Sequence, residues 1–132
     1  MPRRDLYHDT VKSALIKDGW TITHDPYVLG DAELYVFSDL CASKTNQTVT
    51  VEIKVFGVNG RTSELEKAVG QYVLYRSVLK NENLPTLTYL AIPSQAYHSF
   101  FQKRIVRDLI RDEDIKLLVF DPSTETIEQW NP

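Results

Sequence analysis

Glu52 and Lys54 are the two residues whose types and spacing best suit them to chemistry. They lie in Val49-Thr50-Val51-Glu52-Ile53-Lys54-Val55, where an apolar row of Val and Ile alternates with Thr50, Glu52 and Lys54. A strand with that alternation puts the acid and the lysine side by side on one face, opposite the row that must pack into the core. A carboxylate there can hold a hard cation such as Mg²⁺ or Mn²⁺. The lysine can orient a water or offset the negative charge that grows on a phosphate under attack.

One carboxylate alone is a poor metal site. Asp31 and Glu33 share a face of the preceding segment, and a hairpin would bring either beside Glu52. Glu33 is the preferred second metal ligand, with Asp31 next. An isolated Glu-Xaa-Lys would otherwise read as an exposed ion pair of small energetic weight. The helix that follows argues against that plain reading. Gln71 and Tyr75 stand four residues apart on one helical face, with Lys67 one turn earlier, so their polar ends can meet the strand face that carries Glu52 and Lys54.

The elements that must position these groups follow from periodicity and turn chemistry. Leu6, Tyr7, Val11, Ala14 and Leu15 recur at helical spacing between Arg4 and Lys17, and Gly19 supplies a stop. Trp20–His24 reads as a first strand that ends at Asp25-Pro26, and Glu33–Phe37 as a second that ends near Ser38-Asp39. Lys44-Thr45-Asn46-Gln47 suits a hairpin loop before the strand Thr48–Phe56. Ser63-Glu64-Leu65-Glu66 matches a capping box, with Ser63 at the N-cap of a helix running towards Leu79. A strand over Thr86–Ile92, a helical segment capped by Ser94, and strands over Lys116–Asp121 and Thr126–Trp130 complete the order. Early hairpins and later helix crossovers imply an α/β fold: a mixed β-sheet flanked by helices.

The chain has 132 residues, 42% hydrophobic and 25% charged, with no linker, repeat or low-complexity block, so residues 1–132 read as a single domain. No apolar run approaches the ~20 residues that cross a bilayer, and the N-terminus lacks the apolar stretch of a signal peptide. A cytoplasmic protein without membrane association is expected. Cys41 is the only cysteine, which excludes an internal disulfide and a cysteine zinc cluster and leaves a buried, idle thiol as the expectation. A formal charge of −3 argues against a general polyanion-coating protein without excluding DNA bound through a local site. His8 and His24 read as structural, Tyr97, Phe100 and Phe101 as core, and Lys103, Arg104, Arg107 and Arg111, interspersed with acids, as a solvated face.

The motifs carry a family resemblance. Glu52-Ile53-Lys54 resembles the Glu-Xaa-Lys half-motif of PD-(D/E)XK nucleases, and Gln71 to Tyr75 the Gln-Xaa-Xaa-Xaa-Tyr motif of their RecB-like branch. Longer blocks are similar to the XisH family of fdxN element excision controlling factors. They include Asp5-Leu6-Tyr7-His8-Asp9, Ala14 to Pro26, Val51 to Lys54, Gly70-Gln71-Tyr72, Tyr89 to Pro93, Leu117 to Pro122 and Gln129-Trp130. Two departures stand out: Glu33 occupies a place where the family usually has Asp, and Phe37-Ser38-Asp39 stands where it continues with Asp-Leu-Gly-Ala-Glu.

The resemblance implies a restriction-endonuclease-like fold and a site of Glu33, Glu52, Lys54, Gln71 and Tyr75 using Mg²⁺ or Mn²⁺ on DNA phosphodiesters. It implies a cyanobacterial-type protein that acts with an XisI-like partner in controlling excision of a DNA element by a separate site-specific recombinase. The rival expectation is a non-catalytic DNA- or partner-binding module on a nuclease scaffold. A third is an adaptor whose charged strand face is a protein interface. Oligomeric state stays open, with a homodimer among the options.

Overall fold

The computed structural model describes residues 6–131; Arg4 and Asp5, which the sequence pattern assigns to the first helix and the first family block, lie outside them. The elements run α1 (His8–Lys17), β1 (Thr21–His24), β2 (Tyr27–Gly30), β3 (Tyr35–Ser38), β4 (Leu40–Lys44), β5 (Gln47–Ile53), α2 (Arg61–Asn81), β6 (Leu87–Pro93), α3 (Ser94–His98), a 3₁₀ turn (Phe100–Gln102), α4 (Arg104–Asp112), β7 (Leu117–Asp121) and β8 (Thr126–Asn131). Six strands form one mixed sheet in the order β1-β4-β5-β6-β7-β8, and β2 and β3 form a separate hairpin. β5, β6 and β7 are parallel, joined by crossovers that carry helices, while both edges are antiparallel. The expected α/β architecture of a mixed sheet flanked by helices is therefore the observed one. Among the described residues no helix is long and apolar enough to cross a membrane.

Both faces of the sheet are covered, which explains why its central strands are apolar almost throughout. One face gathers Val11, Leu15, Val49, Val51, Ile53, Ala91, Leu118 and Phe120 in a cluster closed by α1. The other gathers Leu90, Ile92, Leu117 and Val119 with Ala68 and Tyr72 of α2 and with Phe100 and Phe101, which fill the core as expected. The alternation of β5 predicts an apolar face turned inward and a charged face turned outward. Instead Thr50 and Glu52 are buried on the α2 side, because that helix covers the polar face as well.

Two boundaries differ from expectation for local reasons. α2 begins at Arg61, after Gly60 in the left-handed region (φ 71°), so Ser63 sits inside the helix and caps nothing. The carboxylate of Glu64 instead accepts the Phe56 N–H at 2.6 Å, tying the helix start to the end of β5. Ser94 likewise gives no cap, and its hydroxyl donates to Glu128 at 2.6 Å. The Lys44–Gln47 stretch does form the β4–β5 hairpin turn, with Thr45 at φ 55°.

Candidate metal and active site

The register of the sheet decides which acid meets Glu52. β4 and β5 pair antiparallel with Leu40 opposite Val51, so the residue before Leu40, Asp39, falls opposite Glu52. Asp39 is fixed there by its own backbone contact: one carboxylate oxygen accepts the Ile53 N–H at 2.8 Å, closing the end of the ladder. The adjacent Ser38, fully buried, donates its hydroxyl to the Val51 carbonyl at 3.2 Å. Two carboxyl groups thus converge from neighbouring strands at the C-terminal end of β5.

The preferred second ligand, Glu33, is not the acid brought to Glu52, nor is Asp31. β3 pairs with β2, not with β5, so the segment expected as the second strand leaves the main sheet. Asp31 and Glu33 lie exposed in the hairpin turn, where Asp31 accepts the backbone N–H groups of Glu33 and Leu34 at 2.9 and 3.1 Å. Their neighbours across a shallow pocket are Ser77, Asn81 and Glu82 near the end of α2, beyond Gln71 and Tyr75 in the helix.

Tyr75 does reach the site, and Gln71 lies one turn before it on α2 with a buried amide oxygen that is unpartnered among the described residues. Tyr75 is 5% exposed, and its hydroxyl donates to the Phe37 carbonyl at 2.8 Å, which pins the hairpin base to the helix beside Asp39. Lys54 follows the last strand residue with its N–H donated to the Ala91 carbonyl at 3.0 Å, so the β5–β6 ladder holds the backbone from which its half-buried side chain leaves. The helix side that packs inward is Tyr72 and Tyr75; Val73 points outward, 39% exposed.

The electrostatics follow from this geometry. Burial pushes the Glu52 carboxyl up to about 9, and the adjacent Asp39 adds to the rise, while Lys54 and the Tyr75 hydroxyl pull the other way. Burial also raises Tyr75, with Glu52 and then Asp39 adding to it. Two acids sharing a partly dry site resist ionising together, and a cation would remove that resistance.

The donor set fits a hard divalent ion. Glu52 Oε1 and Gln71 Oε1 are buried oxygens with no hydrogen-bond partner among the described residues. Carboxylates and a neutral amide oxygen are the donors that Mg²⁺ and Mn²⁺ accept, and Mg²⁺ needs only one or two carboxylates because it keeps several waters. Among the described residues no group of three or more His, Cys, Asp or Glu side chains is placed to hold a metal ion.

Asp39 escapes sequence reasoning because Ser38-Asp39 reads as a turn-favouring pair. A signal is present all the same: Asp39-Leu40 repeats the first two residues of Asp-Leu-Gly-Ala-Glu, two positions later than the alignment on Phe37 would place that pattern.

A family model for the XisH protein matches residues 1–128. The chain belongs to the XisH family. Two solved structures agree with that assignment. A fdxN element excision controlling factor protein from Anabaena variabilis is 35% identical, with a TM-score of 0.92 over 98% of this chain and 100% of that one. An XisH family protein from Nostoc punctiforme PCC 73102 is 33% identical, with a TM-score of 0.91 over 97% of this chain and 100% of that one. No curated protein matches the chain. The mixed sheet and its flanking helices thus match those of solved XisH-family structures over nearly the whole chain.

Proposed function

We propose that this XisH-family chain is an excision controlling factor carrying a divalent-cation-dependent nuclease site of the PD-(D/E)XK kind, acting on DNA phosphodiesters. The observation behind it is the convergence of Asp39, Glu52, Lys54 and Tyr75, from three chain segments, at one buried polar spot where Glu52 Oε1 has no partner among the described residues. Asp39 and Glu52 would hold Mg²⁺ or Mn²⁺, which when bound supplies Lewis acidity at a phosphodiester oxygen and a water of lowered pKa. Lys54 sets its ammonium against the charge that develops on the phosphate. Gln71, whose buried amide oxygen is unpartnered among the described residues, would add a neutral oxygen donor. Tyr75, braced on the Phe37 carbonyl, limits where Glu52 can turn. Tyr75 stays protonated, since its pKa lies above the ordinary phenol value.

A role in controlling excision of a DNA element, with DNA, an XisI-like protein and a site-specific recombinase as associates, is supported by family membership and by the likeness to the Anabaena variabilis fdxN element excision controlling factor protein. A second reading, a regulatory module that docks a partner, is favoured by the outward face of the β2–β3 hairpin. Val28, Tyr35 and Phe37 there are 53%, 57% and 55% exposed.

The deciding experiment offers supercoiled, linear, single-stranded and branched DNA to the purified protein with Mg²⁺ or Mn²⁺, alongside Glu52→Gln and Lys54→Ala. Cleavage by the parent and its loss in both variants supports the nuclease reading. Cleavage untouched by the substitutions, or DNA binding without cleavage in either metal, rejects it in favour of the regulatory module.

A further inference from the structure

Among the described residues four buried side-chain polar atoms have no hydrogen-bond partner, and besides Glu52 Oε1 and Gln71 Oε1 they are the hydroxyls of Thr50 and Thr88. Three of the four share one sheet face. Alternation puts Thr50 on the same side of β5 as Glu52, and the parallel register sets Thr50 directly against Thr88 of β6. Thr50 is 0% and Thr88 4% exposed, so neither hydroxyl reaches bulk solvent. Thr88 borders an opening lined by Tyr72 and Arg76 of α2 and by Lys116. Valine has nearly the same shape and strong β preference, so two adjacent buried threonines without partners are costly unless something binds them.

We propose that Thr50 and Thr88 bind a buried water between β5 and β6, and that this water bonds to Glu52 Oε1 and positions the Glu52 carboxyl for the candidate cation. A buried water needs two to four polar partners. Two hydroxyls, each able to donate and accept, and one carboxyl oxygen supply three. The arrangement fixes Glu52 from behind, as outer partners of metal ligands do. Thr50 and Thr88 are positioning residues. The consequence for the cation rests on the metal reading proposed above, whereas the water itself does not.

Two measurements on the full chain test this. In a high-resolution crystal structure, a water bonded to both threonine hydroxyls and to Glu52 is expected; hydroxyls turned to backbone carbonyls with no water between them would overturn the proposal. Mn²⁺ titration followed by electron paramagnetic resonance then compares the parent with Thr50→Val and Thr50→Ser. The valine variant should bind about tenfold more weakly, and the serine variant, which keeps the hydroxyl, should bind like the parent. Unchanged affinity in the valine variant, or equal loss in both, overturns the positioning role. If the parent itself binds no Mn²⁺, the metal reading fails, and the crystallographic water alone then decides the inference.

Discussion

Two acidic clusters sit at opposite ends of the logic of burial. Near α1, Asp25 accepts from Lys12 at 2.8 Å and contacts the buried His8 ring at 2.7 Å. Burial would push its carboxyl up, but the hydrogen bonds and charges of Lys12 and His8 more than offset this, and the pKa lies below the ordinary value. Beneath α2, Glu52 has a like-charged neighbour in place of a direct salt bridge, an unpartnered oxygen, and a pKa pushed up to about 9. The first cluster sets its acid against two basic partners and ties the end of β1 to α1. The second leaves a carboxyl oxygen without a partner among the described residues. One part-buried and one buried carboxyl of the same chain thus divide into a fastener and a candidate site according to the partners they find.

That contrast breaks most sharply on the two lysines. Lys54→Ala should lower DNA cleavage by about a thousandfold, while Lys12→Ala should leave the rate per folded molecule unchanged; equal losses would erase the distinction.

The next largest effect is on stability against pH. The folded-state pKa of Glu52, about 9, lies above its reference value of 4.5, so its contribution to stability is complete below about pH 4.5 and is lost as pH rises towards 9. Glu52→Gln removes that loss. Relative to the parent the variant should gain stability steadily across this window, by on the order of a few kcal/mol at its upper end. Urea unfolding at pH 5 and pH 9 without divalent metal measures it, and a relative gain no larger at pH 9 than at pH 5 contradicts the buried, proton-holding acid. Added Mn²⁺ should stabilise the parent more at high pH than at low.

Asp25→Ala should move the other way, destabilising the fold by about 2 kcal/mol. That is modest because the pair is only part-buried and Lys12, 37% exposed, regains water; urea unfolding at neutral pH measures it. The smallest effect belongs to Glu33→Ala, which should change neither Mn²⁺ affinity nor melting temperature measurably, since Glu33 is exposed in the hairpin turn. A loss of metal binding there would return Glu33 to the role that its spacing in the sequence suggests.

The parts of the site legible in the sequence are those carried by local spacing. Glu52 and Lys54 follow from strand alternation, and Gln71 and Tyr75 from helical spacing; the structure brings Glu52 and Tyr75 together without any long-range information in the pattern. Asp39 is not legible in this way, because its position depends on which strand pairs with β5. β4 carries the small residues Cys41 and Ala42 and lacks a strong strand signature, while the more β-prone Tyr35-Val36-Phe37 goes to the side hairpin. The burial of Glu52 is hidden for a related reason: alternation tells which residues share a face, not whether a helix covers it. Cys41 illustrates the converse. A lone thiol in an apolar strand suggests a buried, idle group, and its burial indeed pushes it above the ordinary thiol pKa.

The most direct test of the central claim is a crystal structure of the parent soaked in Mn²⁺, read by anomalous scattering. One Mn²⁺ between the carboxyl groups of Asp39 and Glu52 is the expected result. Mn²⁺ held instead by Asp31 and Glu33, or no site at Glu52 at saturating metal, would contradict it.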